Sequence, residues 1–349
     1  MREYFYNLAI DKNKGIFASA LKFLLLLLSF LYGFIIRALR FFSFLDQKRF
    51  DLRIISIGNI TVGGTGKTSL VELVSRYLKS RSSSLAILTR GYKRKGALSI
   101  GDEPRMLAKN LKGIPVIVNR DRVRGARRAI REYGVDTVIL DDGLQQWRIK
   151  KDLEIVTIDA LCPFGNGHML PRGILREPLS SLRKADIFVL TKTDLAGDLN
   201  KIKSILNRYN SKALVVESVH RPLGFYDIRK PSKILDLGYL KGKRAALLCG
   251  IGDPGSFLKT ALRLGIRVEM DLRFSDHYIY TLGELKVIAD RAREKDLFAI
   301  VTTEKDAARL LDMDLDFLGD LELLVLRVEL DIVKNEEQFF SRLLRLYSF

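Results

Sequence analysis

Residues 54–78 read IISIGNITVGGTGKTSLVELVSRYL, and the choice of fold follows from this stretch. The apolar run at 54–57 predicts a buried strand, glycines follow, and the apolar spacing after Lys67 predicts an amphipathic helix. Strand, glycine loop and helix in this order are typical of a loop that binds nucleotide phosphates. The usual pattern is G-x-x-x-x-G-K-[ST], and Thr61 stands here in place of its first glycine.

The loop keeps what phosphate binding requires. Glycines let backbone N–H groups close around phosphate oxygens, and the N-terminus of the following helix favours negative charge. Lys67 is expected to reach the outer phosphates and Thr68 to ligate magnesium, while position 61 needs only an acceptable backbone conformation. The predicted nucleotide-binding residues are Thr61, Val62, Gly63, Gly64, Thr65, Gly66, Lys67 and Thr68. The alternative is a purely structural glycine turn.

A second motif, VDTVILDDG at residues 135–143, supplies carboxylates. An apolar strand here is expected to bring Asp141 and Asp142 to the carboxyl edge of the sheet, where ligands bind in such folds. With Thr68 they form a predicted Mg²⁺ site beside ATP. A strand merely capped by aspartates is the alternative.

Strand-like runs alternate with helical patterns along the rest of the chain, which predicts a P-loop NTPase-like, doubly wound parallel sheet of the α/β class. After an irregular stretch near residues 222–243, a second such series predicts a smaller α/β domain. The predicted domains are an N-terminal membrane anchor helix with its basic flank at 1–48, a P-loop domain at 49–225 and a C-terminal α/β domain, including the linker, at 226–349.

The amino-acid composition indicates which classes of binding partner to expect. A net charge of +18 on 349 residues favours an anionic membrane surface or a phosphorylated substrate. No nucleic-acid motif accompanies the arginine cluster at residues 120–131, so we expect no nucleic acid, and no obligate protein partner is evident. Cys162 and Cys249 lie far apart, which favours a reducing compartment over a disulfide framework.

The N-terminal segment FLLLLLSFLYGFII, residues 23–36, predicts a membrane anchor. A secretory signal is the alternative, but basic residues, not a small-residue cleavage site, follow the apolar run. Those basic residues favour a cytoplasmic location for the rest of the chain. The anchor is expected either to span the bilayer or to lie in its interface.

Three other interpretations remain open. The sequence TKTD at residues 191–194 resembles the guanine-reading motif of G proteins, which makes a membrane-associated GTPase the alternative function. The glycines at 250–255 fit G-x-G-x-x-G, with Asp271 as a weak ribose-binding candidate, although a tight strand-to-helix turn explains Pro254 better. A non-catalytic membrane scaffold that retains an ATP loop is the third.

Eight motifs together resemble the tetraacyldisaccharide 4'-kinase family, the lipid A 4'-kinases of Gram-negative bacteria. They occur in the family's order, within residues 54–306: GNITVGGTGKT, TRGY, GDEP, DDGLQ, GNGHMLPRGILREP, GIGDP, SDHY and TEKD. The resemblance implies transfer of the ATP γ-phosphate to the 4'-hydroxyl of tetraacyldisaccharide 1-phosphate, forming lipid IVA. It also implies a location at the cytoplasmic face of the bacterial inner membrane, in contact with its lipids.

The resemblance further implies a catalytic pair, Asp102 of GDEP and His277 of SDHY. A sugar hydroxyl has a high pKa, so its attack needs a positioned proton acceptor, and we expect Asp102 to accept the proton while His277 orients it. His277 is expected to come from the second domain, so that domain closure assembles the pair. The resemblance places three more residues near substrate or metal: Gln145, Arg176 and Glu177. Gln146 departs from the family, which commonly has histidine there.

Overall fold

The structure, a computed structural model, describes residues 7–81, 83–91 and 101–347. The strands are Arg53–Gly58 (β1), Leu85–Thr89 (β2), Val116–Val118 (β3), Thr137–Asp141 (β4), Leu153–Asp159 (β5), Ile187–Thr191 (β6), Leu214–Asp227 (β7), Arg244–Cys249 (β8), Arg267–Arg273 (β9), Ala299–Thr303 (β10) and Glu322–Lys334 (β11). The α-helices are Ile16–Leu45 (α1), Lys67–Ser80 (α2), Asp102–Asn110 (α3), Arg122–Tyr133 (α4), Asn200–Tyr209 (α5), Pro254–Arg263 (α6), Leu282–Glu294 (α7), Glu304–Leu310 (α8) and Glu336–Leu344 (α9).

The chain divides into two compact units. The first comprises Met1–Arg90, Gly113–Val219 and Ile332–Phe349, and the second comprises Gly91–Lys112 and His220–Asp331. This division differs from the domains expected from sequence, which kept 91–112 with the P-loop and 332–349 with the C-terminal domain. Ion pairs join α3 to α8 in the second unit, and Phe340 of α9 stacks on Tyr77 of α2 in the first, with ring centroids 4.1 Å apart.

The first unit confirms the predicted parallel sheet. Its strand order is β3-β2-β4-β1-β5-β6-β7, and each neighbouring pair is parallel. Every residue of β2, β4 and β6 is buried, as expected when helices cover both faces of a sheet. Because β1 and β4 are neighbours with Ile57 beside Asp141, the glycine loop and the aspartate pair leave the sheet at the same edge.

Gly58 ends β1 where the backbone of the DDGLQ loop approaches closely. A Cβ atom at this position would lie 2.5 Å from the backbone nitrogen of Leu144, so a side chain forces the loop to move. We expect Gly58→Ala to cost about 1–3 kcal/mol of unfolding free energy, as overpacking does, measured by chemical denaturation. Gly197→Ala is the matched control, since nothing lies within 4 Å of its would-be Cβ. Equal destabilisation by the two variants would contradict this account.

The second unit is also α/β. Its strands follow the order β11-β10-β8-β9, and each neighbouring pair is parallel. Alternate residues of β8 enter two different hydrophobic clusters: Ala246 and Leu248 one, Ala245 and Leu247 the other. The period of two along the strand therefore places apolar packing on both faces of the sheet. The fold class predicted from sequence is confirmed in both units.

Helix α1 belongs to the first unit and carries most of its apolar side chains on the surface. It is the one helix in the described ranges that is long and apolar enough to cross a membrane. Its buried residues are Ala18, Ser29 and Gly33, whereas Phe30 and Phe34 are 68% and 69% exposed. The Ser29 hydroxyl donates to the Met169 carbonyl at 2.7 Å, so a polar side chain fastens the middle of the helix to the unit.

Candidate active site

The glycine loop lies between β1 and α2, and the structure explains the threonine at position 61. Thr61 forms an antiparallel bridge with Leu175, and the amide of Val62 donates to the Ile174 carbonyl at 2.8 Å. Position 61 is therefore extended, a conformation that needs no glycine. Gly63 and Gly66 have φ values of 114° and 79°, which side chains rarely adopt, so these two positions do require glycine.

Neighbouring strands hold the far side of the loop. The hydroxyls of Thr65 and Thr157 are 2.8 Å apart, and the Thr191 hydroxyl donates to the Thr65 carbonyl at 3.2 Å. These contacts come from β5, the strand next to β1 in the sheet, and from β6, the strand beyond it. The loop is thus held in shape by the sheet itself, as a preorganised anion site needs.

Asn59 is the centre of a buried polar cluster that the sequence analysis did not single out. Its side chain is 0% exposed, and its Oδ1 accepts from Lys67 Nζ at 3.0 Å and from the Arg176 guanidinium. The Gln145 side chain donates to its backbone carbonyl at 3.1 Å. Asn59 therefore joins three predicted site residues. Its signal in the sequence was its place directly after the strand, in the GNITVGG motif.

The aspartate pair stands beside this cluster. Arg176 binds Asp142 in a bidentate pair, at 2.9 and 2.8 Å, and Lys67 Nζ lies 3.6 Å from Asp142 Oδ1. Burial alone would raise the pKa of Asp142, but the hydrogen bonds from Arg176 and the charges of Lys67, Arg176 and Arg122 outweigh it. The pKa of Asp142 therefore lies well below its usual value, and the carboxylate stays ionised near neutral pH.

One arginine of the basic cluster is buried behind the aspartates. Arg122 begins α4, is 2% exposed, and donates through Nη2 to the Asp141 carbonyl at 3.2 Å. Arg124 and Arg131 on the same helix are exposed, as a solvated helix face predicts. The arginine-rich sequence does not show this difference, because the packing of the helix decides which arginine side chain is buried.

The substrate candidates Glu177 and Arg176, and also Gln146, contact mainly other groups of the protein. Glu177 is 1% exposed, accepts from the Trp147 indole at 3.2 Å and lies 3.8 Å from Arg40 of α1. Gln146 closes the turn after β4, where its backbone N–H donates to the Gly143 carbonyl at 2.8 Å. Arg176 pairs with Asp142, and its own carbonyl accepts from the Tyr32 hydroxyl of α1 at 3.2 Å. The roles of Gln145, Arg176 and Glu177 toward a substrate stay predictions.

The second unit holds both residues of the predicted catalytic pair, whereas the sequence led us to expect only His277 there. Asp102 begins α3 and His277 lies in the loop after β9, with Nδ1 3.5 Å from Asp102 Oδ2. Both residues belong to the second unit, so no closure of one domain on the other is needed to bring them together. The reason is the docking of α3 on α8, which removes the GDEP segment from the P-loop unit.

Two neighbouring side chains, His277 and Arg309, lower the pKa of Asp102. Burial raises the pKa of Asp102, but hydrogen bonds from His277 and Arg309 and the charge of Arg309 more than compensate. The pKa of Asp102 is therefore below its usual value, and this carboxylate is ionised at neutral pH. His277 has a φ of 58°, the left-handed region, and its amide donates to the Gly250 carbonyl at 3.1 Å.

Two competing motifs have structural uses. Asp253 of the G-x-G-x-x-G stretch caps α6 by accepting from the Ser256 amide at 3.1 Å, and Pro254 is the first helical residue. This is the strand-to-helix turn expected from sequence. In TKTD, Lys192 is buried and pairs with Asp159 at 2.5 Å, and the Thr193 hydroxyl donates to the Ser218 carbonyl at 3.1 Å.

The chain is similar to members of one protein family over most of its length. The model of the tetraacyldisaccharide-1-P 4'-kinase family matches residues 21–348. A tetraacyldisaccharide 4'-kinase from Halothermothrix orenii is 33% identical, covering 95% of this chain and 94% of the relative. One from Anaeromyxobacter dehalogenans is 37% identical over 84% and 81%. A crystal structure of LpxK from Aquifex aeolicus in complex with ATP has a TM-score of 0.71 and 28% identity, covering 94% of this chain and 100% of that one.

Proposed function

Because this chain belongs to the tetraacyldisaccharide-1-P 4'-kinase family, we propose that it transfers the γ-phosphate of ATP to the 4'-hydroxyl of a tetraacyldisaccharide 1-phosphate. The product is lipid IVA, a step of lipid A biosynthesis. The observation that carries the proposal is the cluster of Lys67, Asp142 and Arg176 around Asn59, at the end of a strand that continues into a phosphate-binding loop.

The P-loop unit performs the part of the reaction that concerns ATP. The loop amides and Lys67 bind phosphate oxygens and neutralise the charge that develops on the transferred group. Arg176 is a second cation of this site, held by its bidentate pair with Asp142. Positioning and charge neutralisation supply most of the rate in phosphoryl transfer, which is what these fixed cations provide.

The proposed magnesium ligands are Thr68, Asp141 and Asp142. Magnesium prefers hard oxygen donors, usually one or two carboxylates together with substrate phosphates, and these three side chains offer only oxygen. Thr68 lies in the first turn of α2, which follows β1, and Asp141 ends β4; β1 and β4 end at the same edge of the sheet. Bound magnesium would offset the negative charge of the phosphates. The donor set therefore fits the ion.

We assign the acceptor chemistry to the second unit. Asp102 takes the proton of the attacking 4'-hydroxyl, the hydroxyl oxygen forms the new bond to the γ-phosphorus, and the bond to the β–γ bridging oxygen breaks to release ADP. The low pKa of Asp102 ensures that the carboxylate is available as a base near neutral pH. His277, at 3.5 Å from the same carboxylate, orients it.

The proposed location is the cytoplasmic face of the bacterial inner membrane, with α1 lying in the interface. Residues 29, 32 and 40 of α1 contact segment 169–181 of the first unit. These contacts leave residues 16–28 for the bilayer, about two-thirds of the roughly 20 that a crossing helix needs. The exposed phenylalanines of α1 would instead enter one leaflet from the side.

A pair of substitutions on this helix tests the interfacial position. We expect Phe30→Ser with Phe34→Ser to weaken binding to anionic vesicles about 10-fold or more, since each buried phenylalanine contributes roughly 1.5–3 kcal/mol. Flotation with vesicles measures the binding. Leu262→Ser, at an exposed leucine of the second unit, is the control and should bind as the parent does. Resistance of the parent protein to extraction at alkaline pH would instead indicate a spanning helix.

The function itself is tested with radiolabelled ATP and lipid A disaccharide 1-phosphate, resolved by thin-layer chromatography. A labelled lipid is the expected product. GTP added as a competitor distinguishes the GTPase alternative, because a GTPase would prefer it to ATP. Nucleotide binding with no labelled lipid would favour the non-catalytic scaffold and remove the kinase assignment.

A further inference from the structure

Arg309 of α8 connects the catalytic carboxylate to the interior of the second unit. Its side chain is 5% exposed, and Nε donates to Asp102 Oδ2 at 2.7 Å. On the other side, Nη1 donates to Asp306 Oδ1 and to the Gly250 carbonyl, each at 2.8 Å. One planar group therefore bridges the start of α3 to two fixed acceptors.

Asp306 is a rigid anchor for that bridge. It is 0% exposed, and its Oδ1 also accepts from the Gly250 amide and the Tyr280 hydroxyl, each at 2.9 Å. Its Oδ2 accepts from the Thr303 hydroxyl at 2.7 Å. A buried carboxylate with this many donors cannot move without losing several hydrogen bonds, so it holds Arg309 in one orientation.

A second ion pair joins the same two helices but is weaker. Lys305 of α8 lies 2.8 Å from Glu103 of α3, with the two side chains 33% and 29% exposed. Pairs with this much access to solvent contribute little to stability. Lys305 thus supports the docking of α3, whereas the position of the Asp102 carboxylate depends on the buried guanidinium.

We propose that Arg309 is a positioning residue for Asp102, holding Oδ2 so that Oδ1 faces the substrate hydroxyl. This rests on the proposed kinase function. Both contacts that the described residues make to this carboxylate, from Arg309 and from His277, go to Oδ2. Oδ1 is therefore the oxygen left for the proton of the attacking hydroxyl. The interaction also favours the ionised form that a base requires.

The charged and titratable groups near Asp102 determine how kcat/KM depends on pH. His277 and Arg309 contact the carboxylate, Asp306 pairs with Arg309 from behind, and Asp276 lies 3.8 Å from His277 Nε2. Glu103 and Lys305 form the adjacent pair. Removing the Arg309 charge raises the pKa of Asp102, so the acid limb of the profile of kcat/KM for the lipid against pH moves to higher pH.

The test compares Arg309→Met with Lys305→Met, which removes the neighbouring cation from the same helix. We expect Arg309→Met to lower kcat about 10- to 100-fold, with KM for ATP within about twofold, and to move the acid limb upward. Lys305→Met should stay within about twofold of the parent in kcat. Arg309→Lys restores the charge without the planar fork, so the acid limb should return toward the parent position while kcat stays reduced.

A double variant separates positioning from simple structural support. If Arg309 acts through Asp102, adding Arg309→Met to Asp102→Asn lowers kcat little further, because the two residues act as a unit. Additive losses, equal losses in Arg309→Met and Lys305→Met, or an unmoved acid limb would overturn the proposal. Should Arg309→Met not fold, Arg309→Lys and its pH profile decide the matter. A parent protein that makes no labelled lipid would refute the kinase function instead.

Discussion

Asp102→Asn is expected to lower kcat for lipid phosphorylation about 10²- to 10⁴-fold, the range that general-base catalysis contributes. Asparagine keeps the size of the side chain but has no basic oxygen to accept the proton of the 4'-hydroxyl. KM for ATP should stay within about twofold, because the nucleotide loop belongs to the other unit. Steady-state kinetics with labelled ATP measures both constants.

Asp312→Asn is the matched control for that variant. Like Asp102, Asp312 pairs with an arginine, in this case Arg105 of α3 at 2.5 Å. The Asp312 side chain is 71% exposed, so removing its charge should change kcat little. The melting temperature of both variants shows whether a loss reflects unfolding, since Asp102→Asn leaves the buried Arg309 with one ionic partner fewer. A folded Asp102→Asn protein with the parent kcat would remove Asp102 from the chemistry.

Lys67→Met is expected to lower kcat about 10²- to 10³-fold, the usual cost of removing a preorganised group that stabilises transition-state charge. Methionine is close in length and flexibility, so it takes away the ammonium with little change in packing. Lys67 Nζ lies 3.0 Å from Asn59 Oδ1 and 3.6 Å from Asp142 Oδ1. Single-turnover measurements at saturating ATP isolate the chemical step.

The control for Lys67→Met lies at the other end of the same helix. Lys79 is an exposed lysine in the last turn of α2, and Lys79→Met should keep kcat within about twofold. Nucleotide binding to Lys67→Met, measured by calorimetry, should weaken as well. A Lys67→Met enzyme with undiminished kcat and ATP affinity would show that the loop does not bind the triphosphate.

The nucleotide-binding residues of the first unit follow from local sequence. The order of strand, glycine loop and helix is a property of consecutive residues, and so is the strand that ends in Asp141 and Asp142. Once β1 and β4 are parallel neighbours, the carboxyl ends of both must meet at one edge. Thr61 seemed a break in the pattern only because its bridge to Leu175 comes from residues more than a hundred positions away.

The side-chain contacts around Asp102 were known only from the tertiary structure. Asp102 contacts His277 and Arg309, which lie 175 and 207 positions further along the chain. The family resemblance pointed to Asp102 and His277, and its TEKD motif contains Asp306, but no pattern pointed to Arg309 or to its pairing with Asp306. Asn59 stands in the glycine-loop motif, but packing alone decided its side-chain contacts. Packing also decided the burial of Arg122, which separates it from the solvent-exposed arginines that follow it on α4.

The chain by itself thus determined the fold class, the glycine loop and the aspartate pair at the end of β4, since these depend on periodicity and on spacing between near neighbours. Only the packed molecule decided that the GDEP helix leaves the P-loop unit and docks on α8. The position of this helix depends on ion pairs and buried contacts between segments that are distant in the sequence. Such contacts produce no periodic sequence pattern, so they cannot be predicted from periodicity.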